Sequence, residues 1–186
     1  GIIDNIDIIF AKHYLSSYET GLLAGVSRIA MLLYVVAYSL ATVLNPRVTA
    51  YHQQKDFNDF LKKAWAITAL AVLGFFVSLP FAPILVKWTI GSQYLAGMDS
   101  LIVLLAVGFL SIIIVPFSAT FYAFKSNRYF SLSAFLQLTI MLVGNFVFVP
   151  QLGLVASVYT RLIARAALLL LTWAMLWWSY RREFKK

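Results

Sequence analysis

The stretch AWAITALAVLGFFVSLPFAPILV, at positions 64–86, contains no charged residue and is flanked on both sides by lysine. A helix of about 20 apolar residues crosses the hydrocarbon core of a bilayer, so this stretch predicts a transmembrane helix. Two further charge-free runs follow at 100–124 and 129–160. The second run is interrupted by the turn sequence Pro-Gln-Leu-Gly at 150–153. The sequence therefore predicts an all-α integral membrane protein.

The composition excludes several other classes of protein. The chain of 186 residues is 62% hydrophobic and 12% charged, whereas soluble domains average about 45–50% apolar and about 25% charged residues. Such high hydrophobicity also excludes disorder. The net charge of +8 does not indicate a nucleic-acid-binding protein, because the basic residues lie between long apolar runs. The runs are apolar all round, which favours membrane-spanning helices over helices that lie on the membrane surface. Cysteine is absent, which excludes disulfides and thiolate chemistry.

Residues 1–186 are predicted to form a single bundle of about six spans, the first of which is partial. The predicted spans are 1–14 (partial), 18–44, 57–81, 98–124, 129–149 and 153–179, and 180–186 form a basic tail. The first span is about half as long as a bilayer requires. We therefore expect the chain to be a piece of a longer protein, with a short re-entrant or interfacial first helix as the alternative.

The basic residues between the spans predict the orientation. Most of them, including the C-terminal tail, fall on one side of the bundle, while Lys12 and Lys87 fall on the other. The positive-inside rule then places the C-terminus in the cytoplasm. Prolines at 46, 80 and 83 are expected to end helices, because proline disfavours helix in the residue before it.

Charged residues inside the spans are the strongest functional signal. They are Asp4, Asp7, Arg28, Arg161 and Arg165. Each charge costs roughly 2.5–3.5 kcal/mol at mid-bilayer, so such residues face a cavity or a partner. The two aspartates are three residues apart, and the last two arginines four apart, so each pair can share a helix face. Two interpretations remain open. Ion pairs between these residues hold helices together, or the arginines line a cationic cavity for an anionic group such as a phosphate, with the aspartates serving charge balance or coupling.

Neutral polar residues extend the candidate site. The candidate cavity-lining residues are Asn5, Tyr34, Tyr38, Gln137 and Asn145. Hydrogen bonding between helices is the alternative role of Gln137 and Asn145. The two histidines fall at opposite membrane faces, which excludes a shared metal site. No triad or paired-carboxylate arrangement stands out, so we expect neither enzyme activity nor a bound cofactor.

Four short stretches resemble a pattern that recurs in polysaccharide flippases. They are Asn5-x-Asp7 followed by Tyr14-Leu15-Ser16 and Glu19-Thr20-Gly21-Leu22; Leu44-Asn45-Pro46; Ile90-Gly91-Ser92-Gln93-Tyr94-Leu95-Ala96-Gly97; and Val149-Pro150-Gln151-Leu152-Gly153-Leu154-Val155-Ala156. In this order the chain resembles the multidrug/oligosaccharidyl-lipid/polysaccharide exporter superfamily, and within it the C-terminal half of Wzx-type O-antigen flippases. It departs from the pattern at Leu154-Val155, where the family often has Gly and Ala.

The resemblance implies one of two six-helix bundles of a MATE-like transporter. The implied activity is translocation of undecaprenyl-diphosphate-linked oligosaccharide across the bacterial inner membrane by alternating access, coupled to protons or sodium ions. The implied partners are that lipid-linked substrate, membrane lipids and the N-terminal half of the transporter, with no nucleic acid. A cation-coupled multidrug exporter and a lipid II flippase are alternatives within the superfamily. A membrane-embedded glycan polymerase and a structural membrane subunit are alternatives outside it.

Overall fold

The chain folds into a bundle of α-helices. The computed structural model describes residues 6–50, 54–124 and 126–184, with side chains to 182. Within these ranges it contains six α-helices, one 3₁₀ helix and no strand. The elements are α1 (Ile6–Tyr14), α2 (Ser17–Val48), α3 (Gln54–Thr89), the 3₁₀ helix (Ser92–Gly97), α4 (Met98–Ala123), α5 (Asn127–Leu152) and α6 (Leu154–Phe184). The predicted all-α fold is confirmed.

Five of these helices, α2 to α6, are long and apolar enough to cross a membrane. Large apolar side chains cover their outer surfaces; Leu70, for example, is 69% exposed. A soluble monomer rarely leaves continuous apolar surface of this extent in water, whereas lipid tails solvate it without cost. The chain is a multi-pass membrane protein.

Helix α4 occupies the centre of the bundle. It packs against α2, α3 and α6, and its residues Leu101, Leu104 and Phe117 are fully buried or nearly so. Helix α5 packs on α6, and α1 contacts α2, α5 and α6. Among the described residues, α2 and α5 make little direct contact. A groove therefore runs between α2 and α5, with α4 and α6 beneath it and α1 bridging its walls.

Helix α1 is joined to α2 by a tight turn with a complete capping box. The backbone N–H of Glu19 donates to Ser16 Oγ at 3.2 Å, and the backbone N–H of Ser16 donates to Glu19 Oε2 at 3.1 Å. This reciprocal arrangement satisfies amides that the start of a helix leaves without partners. It fixes the orientation of α1 relative to α2.

The prediction that Pro46 ends a helix is wrong, because α2 continues through it to Val48. A proline removes one backbone hydrogen bond and crowds the carbonyl four residues before it, which strains a helix without always ending it. The last carbonyls are satisfied locally: the Thr49 N–H donates to the Asn45 carbonyl at 3.3 Å, and Thr49 Oγ1 donates to the Pro46 carbonyl at 2.7 Å. Val48 is fully buried, which holds this last turn in place.

The prediction that Pro80 and Pro83 close the third helix is also wrong, because α3 continues to Thr89. Ala82 and Val86 are buried in the same cluster as residues of α4. This packing stabilises the helix beyond both prolines, which helices in membranes tolerate more readily than helices in water. Helices α4 and α5 begin and end within a few residues of their predicted spans, and α6 extends into the predicted tail.

Helices α5 and α6 form a hairpin with one residue between them. That residue, Gly153, has φ 67° and ψ −148°, a region essentially restricted to glycine. The two helices of the hairpin pack closely against each other. A Cβ on Gly144 of α5 would collide with the Thr160 side chain of α6. The hairpin places the arginines of α6 beside α5.

Replacing Gly153 with alanine should destabilise the hairpin by about 1–3 kcal/mol, because the backbone there is strained for any residue with a Cβ. A Cβ at this position would meet no close neighbour. The loss of stability would therefore report backbone strain and not a steric clash. The measurement is unfolding in mixed detergent–SDS micelles followed by circular dichroism.

The matched control is Gly21→Ala in α2, where no atom lies within 4 Å of the added Cβ and φ is not positive. Alanine favours helix, so this variant should be neutral or slightly stabilised. Equal free energies of unfolding for the two variants would contradict the assigned role of Gly153.

Candidate functional site

The groove between α2 and α5 contains two adjoining cavities. The first, here called the α1 cavity, has a volume of about 270 Å³ and includes Ile8, Ser27, Arg28 and Arg161 in its lining. The second, here called the α5 cavity, has a volume of about 560 Å³ and includes Tyr38, Ser111, Phe130, Ser133 and Arg165. Met31 and Tyr34 line both cavities. The two cavities therefore meet at one turn of α2.

A buried ion pair lies at the wall of the α1 cavity. Arg161 Nη2 of α6 donates to Asp7 Oδ1 of α1 at 2.5 Å, and Asp7 is fully buried. Charges this far from water need a partner, because desolvation of either ion alone is costly. The ion-pair interpretation therefore applies to this aspartate and this arginine. The pair joins the short α1 to the long α6.

The ion pair is extended by a hydrogen-bonded network that reaches α5. Ser157 Oγ donates to Asn145 Oδ1 at 3.0 Å and lies 3.5 Å from the Asp7 carbonyl oxygen. Asn145 Nδ2 donates to the Met141 carbonyl at 2.7 Å. Asn145 is fully buried, so it links helices and does not line a cavity. Its prediction as a cavity-lining residue is corrected accordingly.

Arg165 lies one helical turn from Arg161 and has different partners. Its Nη1 donates to Gln137 Oε1 of α5 at 2.8 Å. Its guanidinium carbon lies 5.5 Å from the centroid of the Tyr34 ring of α2, in a cation–π arrangement. Neither of these partners carries a charge. Arg165 thus spans the groove from α5 to α2 and lines the α5 cavity.

Arg28 faces the α1 cavity from α2 and is exposed. Within 6–50, 54–124 and 126–184, no hydrogen bond or ion pair engages its side chain. Arg161 faces the same cavity from α6, and the Tyr34 hydroxyl adds a further interaction with the Arg161 guanidinium. The α1 cavity therefore presents positive charge from two helices.

Sequence reasoning missed the serines of the α5 cavity. Ser111, Ser118 and Ser133 all line it. Each hydroxyl donates to a carbonyl of its own helix at 2.9 Å. A hydroxyl that donates in this way keeps lone pairs that can accept hydrogen bonds. The spacing of Ser111 and Ser118, seven residues apart in a charge-free helix, is a signal that could have placed both on one face.

The structure brings together most of the predicted site residues that it describes. Arg28 and Arg161 share the α1 cavity with Tyr34, while Tyr38 and Arg165 share the α5 cavity with the same tyrosine. Gln137 holds Arg165, as described above. The predicted site residues Asp4 and Asn5 lie outside the described residues, as does His52. In the part of the chain that is described, no cluster of three potential metal ligands occurs.

Comparison with known proteins assigns no relative to this chain. No protein-family model, no curated protein and no solved structure matches it. The function must therefore be inferred from the groove itself and from the sequence resemblance.

The ion pair leads to a prediction of strong energetic coupling. Asp7→Asn leaves the Arg161 charge buried without its counter-ion, and Arg161→Gln leaves the Asp7 charge in the same condition. Each single substitution should cost about 3–5 kcal/mol. The double variant should lose much less than the sum, because it buries no charge. The measurement is a double-mutant cycle of unfolding free energies in mixed micelles.

Arg28→Gln serves as the reference, because this side chain is exposed and should change stability by no more than about 0.5 kcal/mol. Additive effects of the Asp7 and Arg161 substitutions would show that the pair is not the interaction that joins α1 to α6.

Proposed function

We propose that this chain is the C-terminal bundle of a flippase that moves an undecaprenyl-diphosphate-linked oligosaccharide across the bacterial inner membrane for surface polysaccharide synthesis. The observation that carries the proposal is the groove: arginines from α2 and α6 line two adjoining cavities in an otherwise apolar bundle. A membrane protein retains charges at such positions when a function requires them.

The α1 cavity suits the diphosphate. Arg28 of α2 and Arg161 of α6 both line it, and the planar guanidinium group matches phosphate oxygens with two parallel hydrogen bonds. Arg28 is exposed and has no partner among residues 6–50, 54–124 and 126–184, so a ligand can reach it without displacing any of them. In this proposal Arg28 makes the first contact with the diphosphate and Arg161 the second.

The α5 cavity suits the sugars. Its serine hydroxyls, described above, can accept hydrogen bonds from sugar hydroxyls, and the hydroxyl-bearing ring of Tyr38 is 73% exposed. Arg165 lies in the same cavity and donates further hydrogen bonds. Val35 of α2, which lines the α5 cavity, is apolar and exposed. The lipid tail can therefore remain in the bilayer while the head group occupies the groove.

The buried ion pair supplies a route for coupling to protons. When the diphosphate engages Arg161, the Asp7 carboxylate loses part of its counter-charge. A buried carboxylate without a counter-ion is stabilised by taking up a proton. Substrate binding and proton uptake are then linked through one pair of side chains, and an N-terminal bundle would close the other side of the groove during alternating access.

The proposal predicts that the purified protein binds geranylgeranyl diphosphate, a soluble isoprenyl diphosphate, more tightly than geranylgeraniol, which lacks the phosphates. Arg28→Gln should weaken binding of the diphosphate by at least about tenfold, since a charge-assisted hydrogen bond contributes about 1.5–3 kcal/mol. Arg165→Gln should have little effect on this ligand, because the ligand carries no sugar for the α5 cavity. The measurement is isothermal titration calorimetry in detergent micelles.

Arg47→Gln is the matched control, because Arg47 is an exposed arginine of α2 that lies outside both cavities. It should bind the diphosphate like the parent protein. Equal affinity for the alcohol and the diphosphate would overturn the proposal. A preference for a cationic dye, lost in the tyrosine variant Tyr38→Ala, would instead indicate a drug exporter.

A further inference from the structure

A separate cavity lies at the end of the bundle where α6 terminates. It has a volume of about 580 Å³ and lies between the α4–α5 turn and the last turns of α6. Its lining includes Ser126, Arg128, Trp178, Ser179 and Arg182, none of which belongs to the groove. We call it the basic-end cavity. Its chemistry is independent of the function proposed above.

Two cations from different helices face the basic-end cavity. Arg128 comes from the first turn of α5 and Arg182 from the last described turns of α6, and both are exposed. The Arg182 guanidinium carbon lies 5.5 Å from the centroid of the Trp178 ring, which restrains it beside the cavity. Of the described residues that line the cavity, none is acidic. The cavity is therefore suited to an anion.

The start of α5 adds a partial positive charge at the same place. Ser126 is the N-cap residue, yet its side chain makes no capping hydrogen bond. The Tyr129 N–H donates to the Ser126 carbonyl at 3.1 Å, whereas the N–H groups of Asn127 and Arg128 have no partner among the described residues at the start of this helix of 26 residues. Helix N-termini with free amides attract phosphate groups through these N–H donors and the helix dipole.

A buried polar side chain also faces this cavity without a partner. Ser179 of α6 is 9% exposed and lines the basic-end cavity. In contrast to Thr172, whose hydroxyl bonds to the backbone one turn back, the Ser179 hydroxyl has no hydrogen-bond partner within 6–50, 54–124 and 126–184. The hydroxyl can donate one hydrogen bond and accept others. A ligand oxygen in the cavity would accept the donated bond.

We propose that the basic-end cavity binds the phosphate of an anionic membrane lipid. The phosphate lies at the start of α5, where it contacts Arg128 of α5 and both Arg182 and the Ser179 hydroxyl of α6. A lipid is the fitting source, because the cavity borders Trp178, which is exposed beside Trp177 near the end of a membrane-spanning helix. Tryptophans favour this level of the bilayer, and basic pockets between transmembrane helices bind anionic head groups.

The test is thermal unfolding of the purified protein in neutral detergent with added dioctanoyl phosphatidylglycerol. We expect this lipid to raise the melting temperature in a saturable manner, and dioctanoyl phosphatidylcholine at equal concentration to have little effect. Arg128→Gln and Arg182→Gln should each raise the half-saturating concentration of phosphatidylglycerol about tenfold, and Ser179→Ala should raise it about threefold.

The matched control is Arg181→Gln. Arg181 is adjacent in the same tail but lies over the Trp177 ring at 3.7 Å and does not line the cavity. It should respond to phosphatidylglycerol like the parent protein. Arg47→Gln should also leave the response unchanged, because Arg47 is exposed and does not line the basic-end cavity, the α1 cavity or the α5 cavity.

Three outcomes would overturn the inference. Equal responses of the Arg128, Arg182 and Arg181 variants would show unspecific attraction to a basic surface. An equal effect of phosphatidylcholine would remove the requirement for net negative charge. Stabilisation by millimolar inorganic phosphate with the same dependence on the variants, and no further gain from the lipid, would exclude a lipid as the occupant.

Discussion

The groove depends on the buried ion pair between Asp7 and Arg161. Helix α1 is short, and its described residues offer little apolar surface compared with the five long helices. The ion pair fixes it to α6, and the Ser157 and Asn145 hydrogen bonds connect that contact to α5. Since neither charge can be left alone in a medium of low dielectric constant, α1 is held across the groove. Without it the α1 cavity would lose one of its walls.

The basic residues of this chain serve at least three distinct purposes, although the sequence presents them only as a net charge of +8. Arg161 balances a buried carboxylate. Arg28 lines the α1 cavity together with Arg161, and Arg165 lines the α5 cavity among apolar or neutral side chains. Arg128 and Arg182 face a separate cavity at the end of the bundle. Helix α4 fills the centre of the bundle mainly with apolar side chains and carries no basic residue.

The fold was predictable to the extent that it follows from local hydropathy. Charge-free runs located the long helices, but the prolines at 46, 80 and 83 misled the prediction of helix ends. In α3, tertiary packing keeps the chain helical beyond the prolines, because Ala82 and Val86 pack against α4. A single sequence does not reveal that contact. Gly153, in contrast, was predictable as a turn, because it follows a proline by three residues and ends an apolar run.

The candidate site was predictable as a set of residues but not as a set of partners. Arg161 and Arg165 share a helix face, so spacing alone could not decide which of them meets a carboxylate. The difference is one helical turn, which places Arg161 opposite α1 and Arg165 opposite Gln137 of α5. The surroundings of Asn145 likewise depend on how the helices pack. This residue lies beside Gly144, where α5 packs closely against Thr160 of α6, and that close packing encloses its side chain.

The position of Tyr34 gives the groove a property that neither cavity has alone. Its ring lies under the Arg165 guanidinium, its hydroxyl interacts with Arg161, and it lines both cavities. The two arginines of α6 therefore share one partner, and that partner belongs to α2. Tyr34 thus connects the ion pair of Arg161 with Asp7 to the hydrogen bond of Arg165 with Gln137 at the point where the two cavities meet.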